Sequence, residues 1–127
     1  MAVGKKFLQL SDLSAYRRAF ELSNYVWKIV IKWAWFTKQT IGIQYANSID
    51  SIAANIAEGF GRYQKKDKIR FYNISYGSIS ESLDWTQKAK ARNLLKDEEY
   101  QHILSELQEL PREINNLINY TNTKLKK

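Results

Sequence analysis

Residues 41 to 61 read IGIQYANSIDSIAANIAEGFG, and the spacing of the apolar side chains in this stretch decides the fold. Ile41, Tyr45, Ile49, Ile52, Ile56 and Phe60 recur every three or four positions, which lines one face of an α-helix, whereas a half-buried strand alternates every second residue. The spacing predicts a helix over about residues 39 to 61. Gly59 and Gly61 stand where that helix should stop, because glycine accepts the left-handed backbone common at a helix C-terminus.

The same period extends in both directions. Upstream, Leu13, Tyr16, Ala19, Ser23, Val26, Val30 and Ala34 predict a first helix over about residues 12 to 36, with Ser11 or Asp12 as its N-cap. Downstream, Ile69, Tyr72, Tyr76, Ile79 and Leu83 predict a third helix over about 66 to 92, ending near Asn93, a residue that tolerates positive φ. Tyr100, Ile103, Leu107, Leu110, Ile114, Leu117 and Thr121 predict a fourth over about 97 to 124, capped by Asp97. Pro111 falls inside it and predicts a kink, since the apolar stripe continues in register beyond it. No Asn-Gly or Asp-Gly pair separates alternating apolar runs, so a hairpin-built sheet has nothing to start from. Four helices with short connections pack as antiparallel neighbours. The expectation is an all-α, up-down-up-down four-helix bundle forming a single domain over residues 1–127.

Two of the helices carry more apolar surface than one core uses. The third has a second line through Phe71, Ile74, Ser78, Ser82, Trp85 and Ala89, and the first has Leu22, Tyr25, Ile29, Trp33 and Phe36. The surplus is either a wide core boundary or a subunit interface; the interface is favoured, with Trp33, Phe36, Phe71 and Trp85 as its residues, because contiguous exposed aromatic surface is unusual in a monomer. The run YVWKIVIKWAWF, residues 25 to 36, is too short for a membrane span and is interrupted by Lys28 and Lys32, which leaves an interfacial amphipathic helix as the membrane alternative.

Composition narrows the chemistry. A chain of 127 residues with 44% hydrophobic and 13% aromatic content suits one buried core. With no cysteine and one histidine there is no disulfide, thiolate metal site or thiol nucleophile, and most zinc sites are excluded. Glu99 and His102 form one Glu-x-x-His pair of the kind found in di-iron bundles, but no second copy exists. The expectation is a protein without catalytic residues, metal, cofactor or small-molecule substrate. The N-terminal residues lack an apolar run followed by a small-residue cleavage site, so a cytoplasmic location is expected.

The net charge is +7, and it is unevenly placed. Residues 1 to 38 hold 7 basic and 2 acidic groups, residues 62 to 96 hold 9 and 3, and residues 97 to 123 reverse the balance with 1 and 6. Such a chain favours polyanions, although opposite charges in a bundle also pair on its surface. RYQKKDKIR, residues 62 to 70, sets Arg62, Lys65, Lys66, Lys68 and Arg70 beside Phe60, Tyr63, Phe71 and Tyr72. Basic groups neutralise phosphates and exposed rings stack on unpaired bases, which makes this segment the candidate nucleic-acid contact; a lysine-rich connection kept for solubility is the alternative. Arg17, Arg18, Lys28 and Lys32 would enlarge the patch if an oligomer gathers them.

SIAANIAEGFGR at 51 to 62, followed by IRFYNISYGSISES at 69 to 82, resembles the four helix bundle proteins encoded in intervening sequences of the 23S ribosomal RNA gene. The resemblance extends to Leu13, Tyr16, Ala19, Leu22 and Gln44. It implies a left-handed antiparallel bundle. A relative in the family, the accessory protein of diversity-generating retroelements, forms a ring-like homopentamer and binds a reverse transcriptase and nucleic acid through its basic surface. Ala46, Asn47 and Ala53 depart from the family pattern, which has two arginines and a proline there. Asn55, Glu58, Gly59, Arg62, Gly77, Ser78 and Glu81 are the residues the motif singles out. They read as a polar site or as a network fixing the register of the second and third helices, with Gly77 and Ala53, Ala54 and Ala57 allowing close approach. The combined expectation is a homo-oligomer, a pentamer, that binds RNA or a ribonucleoprotein by charge; the rival is an oligomeric scaffold that recruits a protein such as a reverse transcriptase through aromatic grooves.

Overall fold

The apolar stripes become four long helices in a computed structural model that describes residues 8 to 125. Lys5, Lys6 and the last two lysines of the tail lie outside the described residues. The order is a 3-10 turn (Leu10–Asp12), α1 (Ser14–Val30), α2 (Trp35–Thr37), a π-helical turn (Lys38–Gly42), α3 (Ile43–Gly61), α4 (Lys65–Ala91) and α5 (Asp97–Lys124), with no strand among the described residues. The core is drawn from all four long helices, with Leu22, Ile52, Tyr72 and Leu107 at 2% exposure or less.

Several helix ends differ from expectation, each for a local reason. Ser11 and Asp12 do not cap α1: they belong to the 3-10 turn, where the Asp12 carboxylate accepts the Gln9 N–H at 2.7 Å, and buried Leu13 takes the extended cap position. α1 stops at Val30 rather than 36. The Lys32 and Trp33 N–H groups reach the carbonyls of Ile29 and Val30 in a tighter turn, and Ala34 is extended. That turn brings the Trp33 indole N–H to the Leu94 carbonyl (3.2 Å) and its ring over Tyr45, with centroids 6.3 Å apart. The second helical segment therefore begins at Trp35 and passes through the π turn into α3.

α3 continues through both glycines and ends because Arg62 is extended. Gly59 serves packing instead: a Cβ there would lie 2.7 Å from Tyr72 Cε1 and 2.9 Å from the Lys68 carbonyl oxygen. At the end of α4, Asn93 does adopt positive φ (59°), and the Asn93 and Leu94 N–H groups close onto the carbonyls of Lys90 and Ala89. Lys96, not Asp97, is the extended cap of α5; Glu99 accepts its N–H at 2.9 Å while Asp97 pairs with Lys90. Pro111 sits within an otherwise continuous α5.

The bonds between helices fix their relative directions. Tyr45 bonds Thr86 (2.7 Å), Ser82 donates to Ser48 (3.1 Å) and Ser75 donates to the Ile52 carbonyl (3.0 Å), so residue numbers rise along α3 as they fall along α4. Tyr76 with Asn115 and Tyr100 with Gln87 give the same opposition for α4 and α5, as do Ser14 with Glu113 and Arg18 with Glu106 for α1 and α5. Serine and threonine hydroxyls are short, and each inward one here has a bonding partner, so α3 and α4 pack closely without an unsatisfied buried side-chain polar group. The stripe expected on the third helix is correct at Tyr72 and Ile79, but Ser75, Ser78, Ser82, Thr86 and Ala89 complete the buried face, so half of the second line expected as surplus belongs to the core, while Tyr76 and Leu83 are half-buried.

Candidate functional site

The opposed helices place the start of α1, the end of α3, the start of α4 and the end of α5 at one end of the bundle, here called the base. Arg17, Arg62, Lys65, Lys66, Lys68 and Arg70 lie towards the base, while Lys28 and Lys32 lie at the opposite end, near Asn93 and Lys96. The 27 residues of α4 span roughly 40 Å at ~1.5 Å per residue. A single chain therefore carries two separate basic regions, because α1 runs from the base to the far end.

At the base, several cations are already engaged. Arg62 pairs with Glu58 at 2.9 Å, and its guanidinium lies 4.7 Å from the Phe71 ring centroid; Arg70 approaches the same ring at 4.5 Å. Lys68 donates to the Phe60 carbonyl at 2.7 Å, satisfying an acceptor in the last turn of α3, and burial pushes its pKa down. Lys65, Lys66 and Arg70 have no acidic partner within ion-pair distance among the described residues, and Tyr63 beside them is 93% exposed. Arg17 donates to the Ser11 carbonyl and is likewise without an acidic partner among the described residues.

Arg18 is a correction to the expected nucleic-acid set. Its guanidinium lies 2.9 Å from Glu106 and 3.0 Å from Glu113, with Glu109 at 3.9 Å, so the acidic α5 neutralises it across the α1–α5 seam. The groove beside it, about 450 Å³, is lined by Arg17, Arg18, Glu21, His102, Glu106 and Glu113 and has no excess of positive charge. His102 packs 4.4 Å from the Tyr25 ring centroid, and among the described residues no three His, Cys, Asp or Glu side chains cluster to hold a metal. No helix among the described residues is long and apolar enough to cross a membrane.

The motif residues do not form the expected network between helices. Asn55 donates to the Ser51 carbonyl of its own helix (2.8 Å), Glu58 pairs within its own helix end, and Glu81 accepts the Trp85 indole N–H (3.2 Å) along α4. Ser78 alone makes a hydrogen bond between the two helices, accepting from Ser51, while Gly59 packs against Tyr72 and Arg62 lies over Phe71 of α4. Register is held by Tyr45, Ser48, Ser75, Ser82 and Thr86. Gly77 does not allow close approach within the chain: a Cβ there would meet nothing within 4 Å.

The expected interface residues separate as well. Trp33 is spent inside the chain on Leu94 and Tyr45, Phe71 lies against two arginines, and Trp85 is half-buried beneath Lys88, whereas Phe36 is 71% exposed. The sequence reading missed Phe20, Trp27, Ile31, Trp35 and Ile43, all exposed. Phe20, Trp27 and Ile31 are spaced seven and four apart, a helical line visible in the sequence.

A family model described as 23S rRNA-intervening sequence protein matches residues 11–116. Among solved structures, a protein of unknown function from the S23 ribosomal protein family of Bacteroides thetaiotaomicron superimposes with a TM-score of 0.72 at 19% identity, covering 82% of this chain and 97% of that one. No curated protein matches the chain.

Proposed function

The chain belongs to the 23S rRNA-intervening sequence protein family, and from that premise we propose that it is a non-enzymatic homo-oligomer, a pentamer, that binds RNA or a ribonucleoprotein at the base of the bundle. The observation that carries this reading is the set of unpaired cations at Lys65, Lys66 and Arg70 beside the exposed Tyr63 ring. Such a set neutralises phosphates and releases the counterions condensed on the nucleic acid, and a ring exposed on nearly every side is available to an unpaired base. Arg62 and Lys68 support the site indirectly, one ordering Phe71 and the other closing α3. Ala46 and Asn47 add no charge to α3, so phosphate contact rests on Lys65, Lys66 and Arg70 in the first turns of α4.

The test is a titration of unstructured RNA at several salt concentrations. Binding through three phosphate contacts should give log affinity falling against log salt with a slope of about −2. A second reading, a scaffold that recruits a protein such as a reverse transcriptase, is favoured by the exposed Trp35 and Phe36, each above 70% exposure. An apolar protein contact should hardly respond to the same salt series.

A further inference from the structure

Two faces of the bundle carry exposed features that contacts within the chain leave largely unused, Glu81 giving only a hydrogen bond to the Trp85 indole and Arg17 one to the Ser11 carbonyl. The first lies over α1 and α3. Phe20, Trp27 and Ile31 form one line on α1, Ile43 follows the glycine whose backbone abuts Val30, and Trp35 and Phe36 lie between the two helices; their exposures run from 45% to 72%. Six such side chains leave on the order of 700 Å² of apolar surface bare, close to the ~800 Å² that each partner buries in a stable interface. Arg17 and Lys28 on the outer side of α1 have no acidic partner within ion-pair distance among the described residues.

The second face lies on α4. Gly77 is exposed in the middle of the helix with nothing within 4 Å of a Cβ, so its missing side chain relieves no crowding inside the chain, although glycine weakens a helix interior. Ile74, three residues earlier, is 41% exposed, and Glu81, one turn later, has no ionic partner among the described residues. One face is knobbed, aromatic and edged by cations. The other is bare, partly apolar and edged by a carboxylate.

We propose that these are the two halves of one contact: the aromatic face of one copy seats on the Gly77 face of the next, with the glycine admitting a ring to the α4 backbone and Glu81 meeting a cation of α1. This deepens the oligomeric part of the proposed function and rests on it. Because the two faces differ, the contact is heterologous and propagates from copy to copy until the rotation closes. Side by side on a four-helix bundle, the α1–α3 and α3–α4 sides meet at roughly a right angle, which closes a ring after about four or five copies and makes a two-fold dimer the wrong product.

The experiment uses the full chain and two variants, Trp27→Glu and Gly77→Gln, both at exposed positions. Molar mass is read by light scattering and helicity by circular dichroism. The wild-type chain should be several times the 14.9 kDa monomer mass, and each variant alone should fall to the monomer with helicity intact. Mixed in equal amounts they should form a one-to-one pair, because the mixture retains one intact aromatic face and one intact glycine face. A monomeric wild-type chain overturns this contact together with the proposed oligomer. An oligomeric wild type with Gly77→Gln unchanged in mass, or two monomeric variants that fail to pair, overturns this contact alone and leaves the oligomer standing. RNA binding by both variants, whose Lys65, Lys66 and Arg70 are untouched, reports separately on the base.

Discussion

Alanine in place of glycine should have opposite effects at two positions. In a helix interior, alanine is more favourable than glycine by about 0.8–1 kcal/mol. At Gly77 the new methyl meets nothing within 4 Å, so Gly77→Ala should realise most of that gain, about 0.5–1 kcal/mol, and raise Tm by about 2–5 °C. At Gly59 the methyl would lie 2.7 and 2.9 Å from Tyr72 ring atoms and 2.9 Å from the Lys68 carbonyl oxygen. Tyr72 is 1% exposed, and the carbonyl belongs to the backbone of α4, so neither can yield as the end of a flexible chain would. Overpacking costs about 1–3 kcal/mol, and contacts of 2.7–2.9 Å with a buried ring and a backbone carbonyl place this one in the upper half, about 2–3 kcal/mol; after the gain in helix preference, Gly59→Ala should be less stable by about 1–2 kcal/mol. Urea denaturation is the assay, with both substitutions placed in the Trp27→Glu background so that protein concentration does not enter the result. Stability of Gly59→Ala equal to its parent, or a loss for Gly77→Ala, would refute the packing argument.

Replacing Lys65, Lys66 and Arg70 together by glutamine should leave the helical spectrum unchanged and bring the salt dependence of RNA binding close to zero. Lys68→Gln should instead lower stability by about 1 kcal/mol in urea, since it removes the donor to the Phe60 carbonyl. Tyr45→Phe should cost about 1 kcal/mol by removing its bond to Thr86 inside the core, measured by the same denaturation. Partial desolvation pushes the Asp50 carboxyl pKa up; stability from that group is full below the unfolded-state value and is lost as pH rises through the folded one. Asp50→Asn should therefore be more stable than wild type at pH 7, with the difference disappearing at about pH 3. A difference that grows on acidification would contradict the sign.

The helical period of Ile49, Ile52 and Ile56 made α3 legible, because three isoleucines at that spacing have one plausible arrangement and all are buried. Ser75 and Thr86 were not legible as core, since a hydroxyl reads as a solvent position until its partner on another helix is known, and Ser82 read as part of a surplus line rather than of the core. The end of α1 was hidden for a related reason: Ile31 and Trp33 continue the apolar pattern, and no glycine or proline marks the turn that the Trp33–Leu94 bond rewards. The sequence could not distinguish free cations from engaged ones, nor those at the base from Lys28 and Lys32 at the far end. Arg18 meets Glu106 across 88 residues of chain, a pairing that no local spacing reveals.

The hydroxyl seam joins helices that are adjacent in sequence, linked through residues 62 to 64, whereas the seam between α1 and α5 joins opposite ends of the chain. Bringing α3 and α4 together closes a very small loop, and theirs is the most extensive helix contact in the bundle. The α1–α5 contact is the least extensive of the four neighbouring pairs, and its ionic links through Arg18 are partly open to water. The seams therefore set an expected order of assembly and disassembly: the central hairpin should form early and exchange its amide hydrogens last, and the outer helices should part first along the line where one arginine faces three glutamates.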